Sequence, residues 1–178
     1  MIKSGARMKK IMALIGFVFV GYIGLSVYLI ANQGIEELLI CADKGGLKIP
    51  FSKQLCRKYL FAARGTQQDI STLQQGVGAS FVVQGESSRL EREEVLKYLI
   101  SKGLDVNRID INELLPLHGA VLANSTEEVE ILLRNGANPN LKDNKFHLTP
   151  LELALKLQRE DKSPNNRFAI VSLLGNTK

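Results

Sequence analysis

The sequence has no tryptophan, and aromatic residues make up only 6% of it, too few for a sugar-stacking surface or an aromatic cage. Histidine and cysteine are almost as scarce: His118 and His147, Cys41 and Cys56. Neither the wide gap between the cysteines nor the wider one between the histidines is the spacing of a zinc site. No glycine-rich phosphate loop, no serine or cysteine nucleophile motif and no paired metal ligands occur, so neither an enzyme nor a bound cofactor is expected. Glycine and proline together number 20 of 178 residues, which excludes collagen-like and low-complexity chains. Acidic residues are missing from the start of the chain, Glu36 being the first. Before it stand Lys3, Arg7, Lys9 and Lys10, leaving 19 of the 23 basic residues against all 18 acidic ones in the body. A DNA-binding domain needs a concentrated basic face, whereas this body is close to neutral, so nucleic-acid binding is excluded.

Charge is also missing from residues 11–31, an unbroken run of uncharged positions. About 20 apolar residues in a helix span the hydrocarbon core of a bilayer. The run is predicted to be a transmembrane signal anchor behind a basic cytoplasmic segment, residues 1–10. Cations before it, with Glu36 and Glu37 after it, keep the N-terminus inside by the positive-inside bias. Tyr28 falls near the exit, where an amphipathic ring suits the interface. A cleaved signal peptide has an apolar core of about 7–15 residues and a small-x-small cleavage site. Leu29-Ile30-Ala31 lacks the first small residue, and Leu38-Leu39-Ile40-Cys41 has Ile40 where a lipoprotein site needs a small one. The expected location is the bacterial inner membrane, single-pass, with the body in the periplasm.

That location changes the meaning of Cys41 and Cys56. An oxidising compartment permits a disulfide between them, and closing a loop of this length stabilises by about 3 kcal/mol in the chain-entropy model. Two independent buried thiols are the alternative. Gly45-Gly46 and Pro50 make a turn between two helical stretches, so residues 35–58 are expected to form a helical cap.

Beyond the cap the sequence repeats. Glu94 to Asn107 recurs as Glu127 to Asn140, with Leu99 on Leu132, Gly103 on Gly136 and Asn107 on Asn140. Leu115-Pro116-Leu117-His118-Gly119-Ala120 recurs at nearly the same shift as Thr149-Pro150-Leu151-Glu152-Leu153-Ala154. Two elements in fixed order thus share one period. Pro116 and Pro150 mark helix starts, since proline suits the first helical turn. A turn at Asn124-Ser125-Thr126 leads to a second helix with Val129, Leu132 and Leu133 on its apolar side, and Gly136 supplies a left-handed stop. Such a unit cannot bury its own apolar face, so copies must stack.

These motifs resemble ankyrin repeats, whose hallmark is Thr-Pro-Leu-His-x-Ala followed by Leu-Leu-x-x-Gly-Ala-x-x-Asn. The resemblance covers residues 57–175, about four repeats of which the first two are degenerate. One worn copy lies near Leu60–Gly65 and Asp69–Leu73, and another has its first helix near Ser80–Ser88. The fold class expected is all-α: one N-terminal transmembrane helix followed by an ankyrin-like helical repeat stack. Residues Gln158 to Arg167 read as an inserted loop and a second contact candidate, with Arg159, Glu160, Asp161, Lys162 and Pro164. In the family the motif's Thr and His pair through a hydrogen bond. Here Leu115 replaces Thr in the third repeat and Glu152 replaces His in the fourth, so stacking between them is expected to be less regular. His118 is expected to be structural and His147 an exposed loop residue.

What the resemblance implies is protein binding through loop tips and first helices. The tips carry Arg108, Asp110, Asn112 and Glu113 in one loop, then Lys142, Asp143, Lys145 and Phe146 in the next. Phe146 is expected to stand exposed among charges as an anchor. The partner expected is another protein: a secreted toxin or lipase effector that the chain neutralises as an immunity-type inhibitor, or a resident periplasmic enzyme that it assists.

Overall fold

The computed structural model describes residues 3–160 and 167–177, with side chains from residue 8 onward. Ten helices and no strands occur among the described residues. The first, α1 (Lys3–Ala31), contains the apolar stretch Met8–Ala31, whose mean hydropathy of 2.2 and 24 residues suffice to cross a membrane. A helix in the core of a globular domain would be covered, but this one is exposed along most of its length. By length and composition it fits a membrane span or a signal sequence. Only Ser26 and Ile30, one helical turn apart and so on one side, are buried against the body, and α1 packs on α3 (Ser52–Ala63).

Helix α2 (Ile35–Lys44) buries Ile35, Leu38, Leu39, Cys41 and Ala42, a helical stripe, against α3. Gly45 and Gly46 turn the chain at φ 81 and 106, values that favour glycine. The hairpin brings Cys41 and Cys56 together with Cα atoms 5.7 Å apart and sulfurs at disulfide distance. Helix α3 runs straight through residues 57–58, so the expected cap and the expected repeat region share a helix.

Helix α4 (Gln67–Gln75) starts at a reciprocal capping box of Thr66 and Asp69. It fills the connection between α3 and the short α5 (Gly78–Val83), where later units have only a loop. The worn copy expected at Leu60–Gly65 and Asp69–Leu73 is thus the end of α3 followed by this extra helix. Helix α6 (Arg89–Ser101) starts at a second capping box, Ser88 with Glu91.

Three helix pairs then stack. They are α5 with α6, α7 (Pro116–Leu122) with α8 (Thr126–Arg134), and α9 (Pro150–Glu160) with α10 (Phe168–Gly175). First helices form one layer, α5 on α7 on α9, and second helices the other, α6 on α8 on α10. The starts fall at Pro116 and Pro150 as the proline rule requires. Ser125 caps α8 through the Glu128 amide, and Gly103 and Gly136 close their helices at φ 108 and 91. Leu99 and Leu132, matched by the sequence period, are both fully buried beside Val121, Ile131, Leu153 and Ile170. Gln158, Arg159 and Glu160 of the expected insertion are instead the last turn of α9, and residues 161–166, with Asp161, Lys162 and Pro164, lie outside the described residues.

Candidate protein-binding surface

The loops between units are built from the same parts. Asp105 Oδ1 accepts from the Asn107 amide at 2.8 Å, and one period on Asn138 Oδ1 accepts from the Asn140 amide at 2.9 Å. Asp110 Oδ1 accepts from the amides of Asn112 and Leu114, and Asp143 Oδ1 from those of Phe146 and Leu148. Each of these aspartates ties a short turn that delivers the chain to the next helix start. Glu113 and His147, at corresponding places in the two loops, hold the left-handed conformation inside those turns (φ 65 and 57). The signal for this was present in the sequence, since Asp110 and Asp143 obey the same period as Gly103 and Gly136.

Neighbouring loops are also bonded to one another. Asn107 donates from Nδ2 to Gly136 O at 3.0 Å and accepts at Oδ1 from the Asn138 amide at 2.7 Å. The Asn144 amide donates to Glu113 O at 3.1 Å. On the other side, Arg108 Nε donates to Gln74 O, Gln74 Nε2 to Gly103 O, and the Ile111 amide to Gly76 O. The end of α4, the 102–115 loop and the 135–149 loop therefore form one row of tips joined side by side. A row so joined presents its side chains in fixed register, which reduces the entropy lost on binding.

Along this row Arg108, Asn112, Glu113, Lys142 and Lys145 are exposed and Asp110 is half-buried. Two expected contact residues sit differently. Asp143 is 1% exposed, because its carboxylate serves the turn and lies 3.9 Å from His118 Nε2. Phe146 is half-buried against the core, with Lys145 Nζ 5.8 Å above its ring, since the turn tied by Asp143 folds the ring inward. Replacing Phe146 with alanine is thus expected to cost about 1–3 kcal/mol of stability, less than for a fully buried ring. Equilibrium urea unfolding measures it, and an unchanged midpoint would contradict the packing role. Exposed apolar side chains of the row are instead Ile111, 67% exposed between Asp110 and Asn112, and, less so, Leu141 at 36%. The loop of Ile111 also carries Leu104, Val106, Ile109 and Leu114, and no pattern in the sequence singles Ile111 out among them.

His118 is fully buried and structural in position. Its Nε2 lies 2.8 Å from Leu148 O, the residue that precedes α9's cap, so the ring bridges the third unit to the fourth. That contact makes Nε2 the protonated nitrogen and leaves Nδ1 as an acceptor. Nδ1 is buried without a hydrogen-bond partner, because Leu115 brings no hydroxyl to it. Burial pushes the imidazole's pKa below its ordinary value, against smaller opposing effects of Leu148 O and Asp143. At Glu152 the lost histidine is replaced by a different device. The Thr149 amide donates to Glu152 Oε2 at 2.8 Å and the Glu152 amide to Thr149 Oγ1 at 3.3 Å, a capping box for α9. His147 is exposed.

Residues 99–154 match the family model for ankyrin repeats (many copies). A search of curated proteins found no match. The matched stretch runs from the end of α6 through α7 and α8 into α9, so it contains one whole helix pair and the two loops just described. The pairs on either side continue the same stacking beyond it. Ankyrin repeats are in general protein–protein interaction modules and not catalytic, and residues 99–154, behind an N-terminal apolar helix, are similar to them.

A concavity of about 290 Å³ lies between the α2–α3 pair and the α5–α6 pair, with Leu39, Ile40, Phe81 and Val95 among its apolar lining. Asp43 closes one side of it. Its carboxylate accepts from the Glu86 and Ser87 amides at 2.7 Å each, and its own carbonyl accepts from Ser87 Oγ. Burial raises the Asp43 pKa, but these hydrogen bonds outweigh it and hold the carboxyl below its ordinary value. A Cβ at Gly85 would fall 2.6 Å from Asp43 Oδ1, so a larger residue there has to displace that carboxylate.

Proposed function

We propose that this chain is a non-catalytic, membrane-anchored extracytoplasmic binder. Its role in this reading is that of an immunity-type inhibitor, which holds and neutralises a toxin or lipase effector acting in the periplasm. The observation that carries the reading is the continuous path from the apolar helix to the row of tips. Arg64, just past α3, donates through Nη1 to Gln33 O, just past α1, at 2.8 Å. The same guanidinium grips Asp69 at the start of α4, and the far end of α4 is bonded to the 102–115 loop. A binder fixed to its anchor in this way is concentrated where a membrane-crossing effector arrives, which strengthens capture without any new contact. Arg108, Asp110, Asn112, Glu113, Lys142, Lys145 and Ile111 supply the contact surface in this reading. Their mixed signs favour register and partner choice over raw affinity.

The test is the activity of the partner in the complex. An effector lipase or toxin purified with the full chain should lose activity on binding and recover it on release. A resident periplasmic enzyme that stays active in the complex would overturn the inhibitor reading in favour of an assembly factor. Topology has its own check: neutralising Lys3, Arg7, Lys9 and Lys10 together should reduce the fraction of chains with the N-terminus inside. Reporter fusions at the C-terminus read that fraction, and an unchanged value would contradict the orientation argument.

A further inference from the structure

One face of α3 is left uncovered by the stack. Phe51, at the N-cap, is 77% exposed and holds a left-handed backbone at φ 58. Leu55 at i+4 and Lys58 at i+7 lie on the same side of the helix and are exposed as well. A bulky residue at positive φ is an outlier, and an aromatic ring standing in solvent repays none of that strain through the core. The segment that carries this face has charges of one sign. From Lys44 to Gln68 there is no acidic residue, while Lys44, Lys48, Lys53, Arg57, Lys58 and Arg64 are all cations. Four of them are held by Glu86, Glu91, Glu94 and Asp69. Lys48 and Lys58 are exposed and have no acidic partner among the described residues.

The position of α3 relative to α1 gives this face its partner. The span Met8–Ala31, 24 residues long, extends about 36 Å as a helix, against a hydrocarbon core of about 30 Å. The surplus of about 6 Å is roughly one helical turn, which at the exit end stands at headgroup level. Ile30, in this turn, and Ser26, one turn before it, are buried against the body, and α3 is the helix on which α1 packs. We propose that the Phe51–Leu55–Lys58 face of α3 docks on the anionic surface of the bilayer, carrying the loop tips at a fixed height above it. An aromatic and an aliphatic side chain reach interfacial depth while the lysines meet lipid phosphates, as on other interfacial helices. This inference rests on the reading of α1 as an anchor.

The absence of tryptophan makes the test clean. A Phe51→Trp variant of the full chain has a single indole, to be measured in detergent and in vesicles of phosphatidylcholine with and without phosphatidylglycerol. In the anionic vesicles its emission should shift to the blue, acrylamide quenching should fall several-fold, and lipids brominated near the headgroup should quench it. Adding Lys48→Glu and Lys58→Glu should reverse these changes. Equal acrylamide access in all three media would overturn the inference, and so would shielding that appears only when a second protein is added. A separate Phe17→Trp variant, at an exposed mid-span position, reports insertion of α1 through deeply brominated lipids. Quenching there with a water-exposed probe at position 51 overturns the docking and leaves the anchor standing. No quenching there overturns the anchor, and this inference with it.

Discussion

Replacing Asp69 with alanine should cost the protein about 3–5 kcal/mol, the range for breaking one side of a buried ion pair. Asp69 is 6% exposed, and its carboxylate accepts two-pronged from Arg64 at 2.6–3.2 Å. It also accepts from the amides of Gly65 and Thr66 at 3.0 Å each. Removing it leaves the Arg64 guanidinium without its counter-charge and opens the capping box of α4. Because Arg64 also holds Gln33 O, the loss should be felt at the junction with α1. Burial raises the Asp69 pKa, but Arg64 and Thr66 outweigh it and bring the carboxyl down to about 2. A depressed carboxyl pKa adds stability that is full above the unfolded value near 3.9 and is lost as pH falls through about 2. The wild type should thus lose on the order of 2 kcal/mol across that acid window, and Asp69→Ala should not show this component. Urea unfolding of the detergent-solubilised protein from neutral to acid pH measures both effects. A loss below about 1 kcal/mol at neutral pH would mean the pair behaves as an exposed one and does not clamp the junction.

Removing the disulfide expected between α2 and α3 should have an effect of similar size. Cys41 and Cys56 are both buried and enclose a loop with a sequence separation of 15, so Cys41→Ser should cost about 3 kcal/mol. The loss should concentrate in the first helix pair, whose turn of Gly45, Gly46 and Pro50 adds little stiffness of its own. The variant should also lose a mobility difference between reduced and oxidised gels that the wild type displays. Two thiols alkylated freely in the native wild-type protein would show that the cysteines are unbonded in the compartment where the chain resides.

The sequence period located the starts of α7 and α9 and the stop after α8, because proline at a helix start and glycine at a helix end act locally. Helix α4 was harder to see. Its Gln-rich sequence carries few apolar residues, and what fixes it is the Thr66–Asp69 box together with Arg64, a contact network and not a period. The loop tips were legible as a region but not in detail. Asp143 looked exposed because aspartate in a loop usually is, yet its carboxylate is needed to tie a turn and is buried with His118. Phe146 was drawn inward by that same turn, while Ile111, which no pattern distinguishes, stands out. The exposed face of α3 was hidden for another reason: it emerges only once α2 and the stack have covered the other sides of that helix.

The central claim is that the joined row of loop tips holds a protein partner at the membrane. Capture from solubilised membranes with the tagged full chain tests it most directly when run beside a variant carrying Ile111→Asp and Lys142→Glu. Both side chains are exposed and neither ties the loops together, so the fold should survive their replacement. The expected result is one stoichiometric protein, a secreted effector whose activity falls in the complex, bound by the wild type and lost from the variant. A partner retained equally by the variant, or the absence of any stoichiometric protein, would contradict the claim.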